Sequence, residues 1–195
     1  MVKILLNFDE IVEKLDIFFI DVPTDIKADL TELIFKKSQL NPSAIQQLQE
    51  IFKIRLPQLF ANILMIYDFG DLTLGGITFG YHENYVEYLI KRNIEREGFL
   101  NWWGIDSRPY NYLAIADSDG FVILLNTETG EIASYERINS YLNAQVIASD
   151  FMLFLQAAAS IYIWRKTGEY QESLIDIPRL IGSVANNYFW EENFR

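Results

Sequence analysis

The stretch from Asn111 to Arg137, with the sequence NYLAIADSDGFVILLNTETGEIASYER, is the feature that most constrains the fold of this chain. Within it, residues 121–125 and 131–135 are strand-length runs rich in apolar and β-branched side chains. Residues 126–130 between the two runs have the polar, glycine-containing composition of a hairpin loop. The stretch therefore predicts a β-hairpin, and the fold must supply a sheet that contains it.

The acidic turn DSDG at residues 117–120 raises a different interpretation, because closely spaced carboxylates hold hard metal ions such as calcium. The register of a calcium loop tests it. If Asp117 is the first position, Asp119 is the third, but Phe121 falls on the fifth and Val122 stands where the loop requires glycine. We therefore interpret the segment as strands and turns, and we expect neither a metal nor another cofactor.

Apolar residues at helical spacing predict helices on both sides of these strands. Two short helices are predicted before Ser38, and the second spans PTDIKADLTELIFKKS with Lys36 and Lys37 in its last turn. The next helix is capped by Ser43 and stops at Pro57, and another runs from there to Gly70. After these, a polar helix is predicted over about 83–97, one capped by Ser149 or Asp150, and a last one near 174–181. Residues 72–80 are predicted to form either one strand kinked by a bulge at Gly75-Gly76 or two strands joined by a tight turn.

The order of these signals, helices followed by a meander of strands and then helices again, predicts an α+β fold. Residues 72–80 and 112–136 should form one antiparallel sheet with helices against one face. A length of 195 residues suits a single domain with one full-sized core.

The net charge of the chain favours some classes of binding partner over others. The chain has 16 basic and 27 acidic residues, a formal net charge of −11, which disfavours binding to nucleic acid. Residues 101–150 alone hold seven acidic and two basic residues, so a basic partner would be attracted there. The alternative is that the acidic surface only keeps the protein soluble.

Several features of the sequence predict a cytoplasmic protein without a membrane partner. Asp9, Glu10 and Glu13 interrupt the apolar N-terminal run before it reaches the length of a signal peptide. The longest apolar run, Phe151 to Trp164, is 14 residues and too short to cross a bilayer. The chain contains no cysteine, which fits a reducing compartment and excludes disulfides and thiolate chemistry.

The sequence offers little for catalysis. The single histidine, His82, lies near a predicted strand end, without a cysteine partner or a carboxylate at the spacing of a catalytic dyad. Motifs for phosphate loops, dinucleotide binding, zinc proteases and serine hydrolases are absent from the sequence. Carboxylate pairs such as Asp68 with Asp71, or Asp117 with Asp119, could serve a glycosidase, but acidic residues are far commoner as turn formers. We expect no enzymatic activity and assign no catalytic residue.

Aromatic residues are abundant, with 14 Phe, 11 Tyr and 4 Trp. The adjacent Trp102 and Trp103 cannot both point into one core if their segment is extended, because successive side chains of a strand face opposite ways. One of them should lie near the surface, where tryptophan often anchors a protein partner. The alternative is packing at the edge of the core against Tyr110 or Tyr112.

Four stretches together resemble a known family. They are, in chain order, AIQQLQEIFKIRLPQLFANILMIYDFG, LTLGGITFG, NYLAIADSDGFVILLNTETGEIASYE and IASDFMLFLQAA, which together span about residues 44–159. They are similar to the helix–Leu-Pro–helix unit, first strands, central hairpin and closing helix of the SUKH superfamily, which contains bacterial immunity proteins and fungal regulators of cell-wall glucan synthesis. The resemblance implies a SUKH-like core over residues 41–165, with added N-terminal helices over 1–40 and an added C-terminal helical tail over 166–195.

The resemblance also implies a function. It indicates a non-enzymatic immunity-type protein that neutralises a cognate bacterial toxin, such as a basic nuclease, by direct protein–protein contact. An intracellular scaffold or regulatory interaction module is the alternative, and a carboxylate-dependent enzyme is a more distant one. Binding residues concentrate at connections between elements, and acidic and aromatic groups suit a steered, anchored interface. The predicted partner-binding residues are Asp68, Asp71, Trp102, Trp103, Asp106, Asp117 and Asp119.

Overall fold

The computed structural model of the protein describes residues 4–18, 35–81, 84–94, 103, 108–169, 171–184 and 188–193. It confirms the predicted α+β fold. The helices are α1 (Phe8–Phe18), α2 (Pro42–Phe52), α3 (Gln58–Ile66), α4 (Tyr85–Ile94), α5 (Phe151–Thr167), α6 (Ile177–Leu180) and α7 (Tyr188–Asn193). The strands are β1 (Lys36–Lys37), β2 (Tyr67–Asp68), β3 (Thr73–Leu74), β4 (Ile77–Thr78), β5 (Tyr112–Asp117), β6 (Phe121–Asn126), β7 (Ile132–Glu136) and β8 (Gln145–Ala148).

The main sheet has six strands in the order β3-β4-β5-β6-β7-β8, and all neighbours are antiparallel. It contains both predicted strand regions in one sheet, as expected. The central hairpin pairs Phe121 with Glu136 and Leu125 with Ile132, so the acidic turn at residues 118–120 and the start of the β7–β8 connection share one end of the sheet. Strands β1 and β2 form a separate two-stranded sheet.

Of the two alternatives for residues 72–80, the structure shows the tight turn. Leu74 pairs with Ile77, which leaves Gly75 and Gly76 as a two-residue hairpin loop. Their φ angles are 57° and 84°. Positive φ at both central positions is the geometry of hairpin turns that twist with the strands, and glycine adopts it without steric cost.

Both faces of the sheet are buried. Helix α5 packs against one face and α3 packs against α5; Phe60, Phe151 and Phe154 of these helices join inward residues of β5 to β8 in the main core. The other face carries a smaller cluster of Trp103, Ala114, Val122, Leu124 and Tyr135, with Tyr141 packed against it. The alternation of side chains along β5 and β6 supplies residues to the two cores in turn.

Described residues before β1 and after α5 are docked onto this sheet and its covering helix. The backbone N–H of Leu6 donates to Ser160 Oγ at 2.9 Å, and Trp164 Nε1 donates to the carbonyl of Ile4 at 2.7 Å. At the other end, Val184 N–H donates to the carbonyl of Val146 at 3.1 Å. The C-terminal segment thus covers part of the outer edge of β8, which would otherwise present unpaired backbone groups.

Several local predictions are corrected. Lys36 and Lys37 form β1 rather than the last turn of a helix, because they pair with β2. Residues 23–34 of that predicted helix lie outside the described residues. Asn41, not Ser43, caps α2, since Pro42 occupies the first helical turn and Asn41 Oδ1 accepts from Ser43 N–H at 3.0 Å. The predicted helix near 174–181 is a 3₁₀ turn, Gln171–Asp176, followed by α6.

The structure shows the cap of α5 and one further strand, β8. Asp150 caps α5 by accepting from Leu153 N–H at 2.8 Å, which confirms one of the two predicted caps. Strand β8 was not predicted, because it is only four residues long and begins with an exposed glutamine. None of the helices in the described part of the chain is long and apolar enough to span a membrane.

Candidate partner-binding groove

A groove lies at the end of the main sheet where the β5–β6 turn, the β3–β4 turn and α7 meet. Its volume is about 440 Å³. The residues that line it are Gly75, Gly76, Asp119, Gly120, Phe121, Glu136, Ile138, Tyr188 and Glu192. We call this feature the acidic groove, because every charged side chain among those lining residues is a carboxylate.

The three carboxylates of the acidic groove come from three separate elements. Asp119 lies in the β5–β6 turn, Glu136 at the end of β7 and Glu192 in α7. A concave site lined by charges of one sign concentrates its field, and here that field favours cations. The acidic groove can therefore attract a lysine- or arginine-bearing surface.

Apolar surface accompanies these charges. Ile138 is 90% exposed and Tyr188 is 48% exposed, both unusually open for large hydrophobic residues. The ring of Tyr188 rests against buried Phe121, with 5.9 Å between ring centroids. A partner that enters the groove would bury apolar as well as charged surface, as protein interfaces do at their centres.

The turn that carries Asp119 is fixed by backbone hydrogen bonds. Ser118 N–H donates to the carbonyl of Phe121 at 3.0 Å, and Arg137 N–H donates to the carbonyl of Gly120 at 2.9 Å. The turn is thereby tied to both β6 and the segment after β7. Its exposed carboxylate is presented from a preorganised position, which lowers the entropic cost of binding.

A buried ion-pair network lies behind the same turn. Arg92 on α4 is fully buried and forms an ion pair with Asp117, which is 3% exposed. Arg137, partly exposed, pairs with the other oxygen of the same carboxylate. Asp117 is thus held between two guanidinium groups, and its role in the structure is to join α4, β5 and the β7–β8 connection.

Two tyrosines flank this network. The ring centroids of Tyr81 and Tyr88 are 5.8 Å apart, and the Arg92 guanidinium lies 4.8 Å from the Tyr88 centroid. Burial raises the pKa of Tyr88 to about 12. Burial, and secondarily the negative charge of Asp117, raises the pKa of Tyr81. Both phenols therefore remain neutral near pH 7, and neither supplies a base there.

The structure distributes the other predicted site residues across the molecule. Asp68 Oδ1 accepts from the N–H groups of Gly70 and Tyr85, each at 3.0 Å, so it orders the turn after β2 and the start of α4. Asp71 is largely buried in an ion pair with Lys36. Trp103 is buried on the second face of the sheet. Trp102 and Asp106 lie outside the described residues.

Of the five predicted residues that the structure describes, Asp68, Asp71, Trp103, Asp117 and Asp119, only Asp119 lines the acidic groove. A contact between any of the seven and a partner stays a prediction. Glu136 was missed although the hairpin register, which pairs it with Phe121, places it beside the Asp119 turn. Tyr188 and Glu192 gave no comparable signal, since only the tertiary fold brings α7 to this end of the sheet.

The acidic groove shows no cluster of metal ligands within the part of the chain that the structure describes. No three histidine, aspartate or glutamate side chains among those residues are grouped so that they could hold a metal ion. The chain has no cysteine, and its single histidine, His82, lies outside the described residues. What the groove offers chemically is recognition of a cationic surface.

Residues 39–157, more than half of the chain, match the model of the SMI1/KNR4 family (SUKH-1). This chain belongs to the SMI1/KNR4 family. The predicted SUKH relationship is thereby confirmed, and the matched region runs from just after β1 into α5. A comparison with curated proteins found no match. Within the SMI1/KNR4 region lie Asp119, Glu136 and Ile138, whereas Tyr188 and Glu192 fall beyond it.

Proposed function

We propose that this SMI1/KNR4-family protein is a non-enzymatic, immunity-type binding protein that neutralises a cognate bacterial toxin in the cytoplasm by direct contact. The observation that carries the proposal is the acidic groove, in which Asp119, Glu136 and Glu192 meet exposed Ile138 and Tyr188. The partner is a basic protein domain, such as a nuclease, whose own function requires a cationic surface.

The charge of the whole molecule supports this proposal. A net charge of −11 attracts a basic partner over distances of about 8–10 Å at ordinary ionic strength, and the groove then provides a local site of the same sign. Aromatic and aliphatic groups at the centre of an interface slow its dissociation. The groove combines both properties, as an inhibitor that must bind its toxin quickly and hold it would require.

Membership in the SMI1/KNR4 family is consistent with an immunity-type protein and equally with a regulatory one. The second candidate is therefore an intracellular scaffold or regulator, which would use the same acidic groove for a basic host protein. The immunity protein and the regulator would bind different partners through the same acidic groove. The gene next to this one distinguishes them, since an immunity protein should be encoded beside a large toxin gene.

Co-expression tests the proposal. The product of the gene immediately upstream is expressed alone, with the wild-type protein, and with the Asp119→Lys/Glu136→Lys variant. We expect the product to be toxic alone, harmless with the wild-type protein, and toxic again with the variant.

The matched control is Glu128→Lys/Glu131→Lys, which changes the net charge equally at the β6–β7 loop, at the opposite end of the hairpin from Asp119. This control should still protect the cells. A harmless upstream product would refute the immunity role, and equal protection by both charge variants would refute the acidic groove as the binding surface.

A further inference from the structure

Helix α7 supplies one wall of the acidic groove from outside the region that matches the family. Tyr188 and Glu192 of α7 line the groove, while the family match ends at residue 157. The opposite wall, with Asp119 and Glu136, belongs to the matched core. The acidic groove is therefore a composite of the matched core and a helix that lies beyond the matched region.

Helix α7 is anchored firmly to the sheet. Phe189 is 1% exposed, and its ring centroid lies 5.4 Å from that of Phe121. Trp190 is 5% exposed, packs on Phe154 of α5, and donates through Nε1 to the carbonyl of Ile147 at 3.0 Å. Because these two residues are buried, Tyr188 and Glu192 are held at the groove instead of moving with a free tail.

Helix α7 adds a third carboxylate, Glu192, and the ring of Tyr188 to the groove. Tyr188 is half-exposed, whereas Phe121, the aromatic residue of the matched core that lines the groove, is buried. A guanidinium group is planar, stacks on aromatic rings, and binds a carboxylate through two parallel hydrogen bonds. A lysine ammonium is a compact, strongly hydrated charge that gains less from an aromatic neighbour.

We infer that α7 makes the acidic groove selective for arginine over lysine in an exposed segment of the basic partner. The core carboxylates attract either cation, and Tyr188 together with Glu192 discriminates between them. This inference rests on the proposed function, because it assigns the specificity of the same groove. It names the partner's contacting element as an arginine-bearing loop or terminus.

Two fluorescently labelled probes of equal length and charge, an oligo-arginine and an oligo-lysine peptide, test the inference by anisotropy titration. For the wild-type protein, we expect the arginine peptide to bind about fivefold more tightly than the lysine peptide, the size of one stacking contact at a partly exposed site. Tyr188→Leu should bring this ratio close to one, and Tyr188→Phe should preserve it, because phenylalanine keeps the ring. Thermal unfolding of each variant confirms that α7 and the core remain folded.

The charge variants separate failure of this inference from failure of the proposed function. Asp119→Lys should weaken both peptides more than Glu128→Lys, which makes the same charge change at the far end of the hairpin. If Asp119→Lys and Glu128→Lys weaken binding equally, the acidic groove is not the site and the proposed function loses its support. If Asp119→Lys has the larger effect but Tyr188→Leu leaves the arginine-to-lysine ratio unchanged, the groove stands and the selectivity assigned to α7 is wrong.

Discussion

The guanidinium of Arg92 and the carboxylate of Asp117 form a buried ion pair between α4 and the end of β5. Arg92 is fully buried and Asp117 is 3% exposed, so neither charge is solvated by bulk water. Removing one member of such a pair leaves the other as an uncompensated buried charge, which costs far more than loss of an exposed pair. This pair, with Arg137 on the other carboxylate oxygen, fastens the turn that presents Asp119.

Asp117→Asn should therefore lower the free energy of unfolding by about 3–5 kcal/mol, as expected when a buried ion pair loses one partner. Urea denaturation measures the change. The matched control is Asp119→Asn, two residues along, where the exposed side chain predicts a change within about 0.5 kcal/mol. Similar losses for the two variants would mean that the Arg92 charge does not depend on Asp117.

Asn93 of α4 completes the backbone hydrogen bonding of β5. Its Oδ1 accepts from Ala114 N–H at 2.8 Å, and its Nδ2 donates to the Ala114 carbonyl at 3.0 Å. Tyr85 of the same helix donates through its hydroxyl to the carbonyl of Ile115 at 2.8 Å. Strand β4 pairs with β5 only at Thr78 and Asp117, so side chains of α4 take the place of a neighbouring strand along the rest of β5.

Asn93→Leu should cost about 2–4 kcal/mol of folding free energy, because it leaves a buried N–H and a buried carbonyl of Ala114 without partners. Asn62→Leu provides the control, since it makes the same substitution on the exposed face of helix α3. Urea denaturation of both variants gives the comparison. If the two changes are equal, the amide of Asn93 does not substitute for a strand.

The hairpin and the acidic groove illustrate what local sequence can and cannot predict. Strands β6 and β7 were predicted from residues 121–136 alone, because turn chemistry and apolar runs are local signals. The residues that tie α4 to β5, Arg92 and Asn93, gave no signal. Arg92 is charged, Asn93 is polar, and the sequence of their helix is largely polar, so both would be expected on the surface. They are buried because they contact Asp117 and Ala114 of β5, which lie more than 20 positions further along the chain.

The candidate site divides in the same way. The DSDG turn indicated acidic residues at a connection, and it contributes Asp119 to the groove. The sequence could not show that Asp117 faces inward, since that depends on where α4 places Arg92. The contribution of α7 to the acidic groove could not be predicted from local sequence, because residues 188–193 reach the turn through the packing of Phe189 and Trp190.

The raised pKa of Tyr88 predicts that the protein loses stability at alkaline pH. Its pKa is raised from 10.0 to about 12 by burial, so the folded protein retains the phenolic proton over a range in which the unfolded chain releases it. The contribution of Tyr88 to the free energy of unfolding is therefore fully present below about pH 10 and declines as the pH rises toward about 12. Tyr88→Phe should therefore show a shallower decline in unfolding free energy over that range, measured by urea denaturation at several pH values.

The same titration contains its own control, because the difference between wild type and Tyr88→Phe should be constant below about pH 10. Absorbance of ionised tyrosine, followed in both proteins, identifies the missing late-titrating group. Parallel stability curves across the alkaline range would contradict a raised pKa for Tyr88.

The contacts of Trp190 hold α7 at the acidic groove. Its ring centroid lies 5.0 Å from that of Phe189 and 5.9 Å from that of Phe154, and its Nε1 donates to Ile147. Trp190→Ala removes both the packing and the hydrogen bond, so α7 should undock while the sheet remains folded. Hydrogen exchange at residues 188–193 should accelerate at least about tenfold, with exchange in α5 and β6 unchanged.

Trp190→Phe separates the two contributions to that docking. It keeps an aromatic ring against Phe154 and Phe189 but leaves the carbonyl of Ile147 without its indole donor, a loss of about 1 kcal/mol. Exchange at residues 188–193 should then rise about fivefold, the factor that corresponds to that free energy, and remain slower than in Trp190→Ala. If Trp190→Ala accelerates exchange throughout α5 and β6 as well, α7 unfolds only together with the core, and its docking is part of the global fold rather than a local attachment.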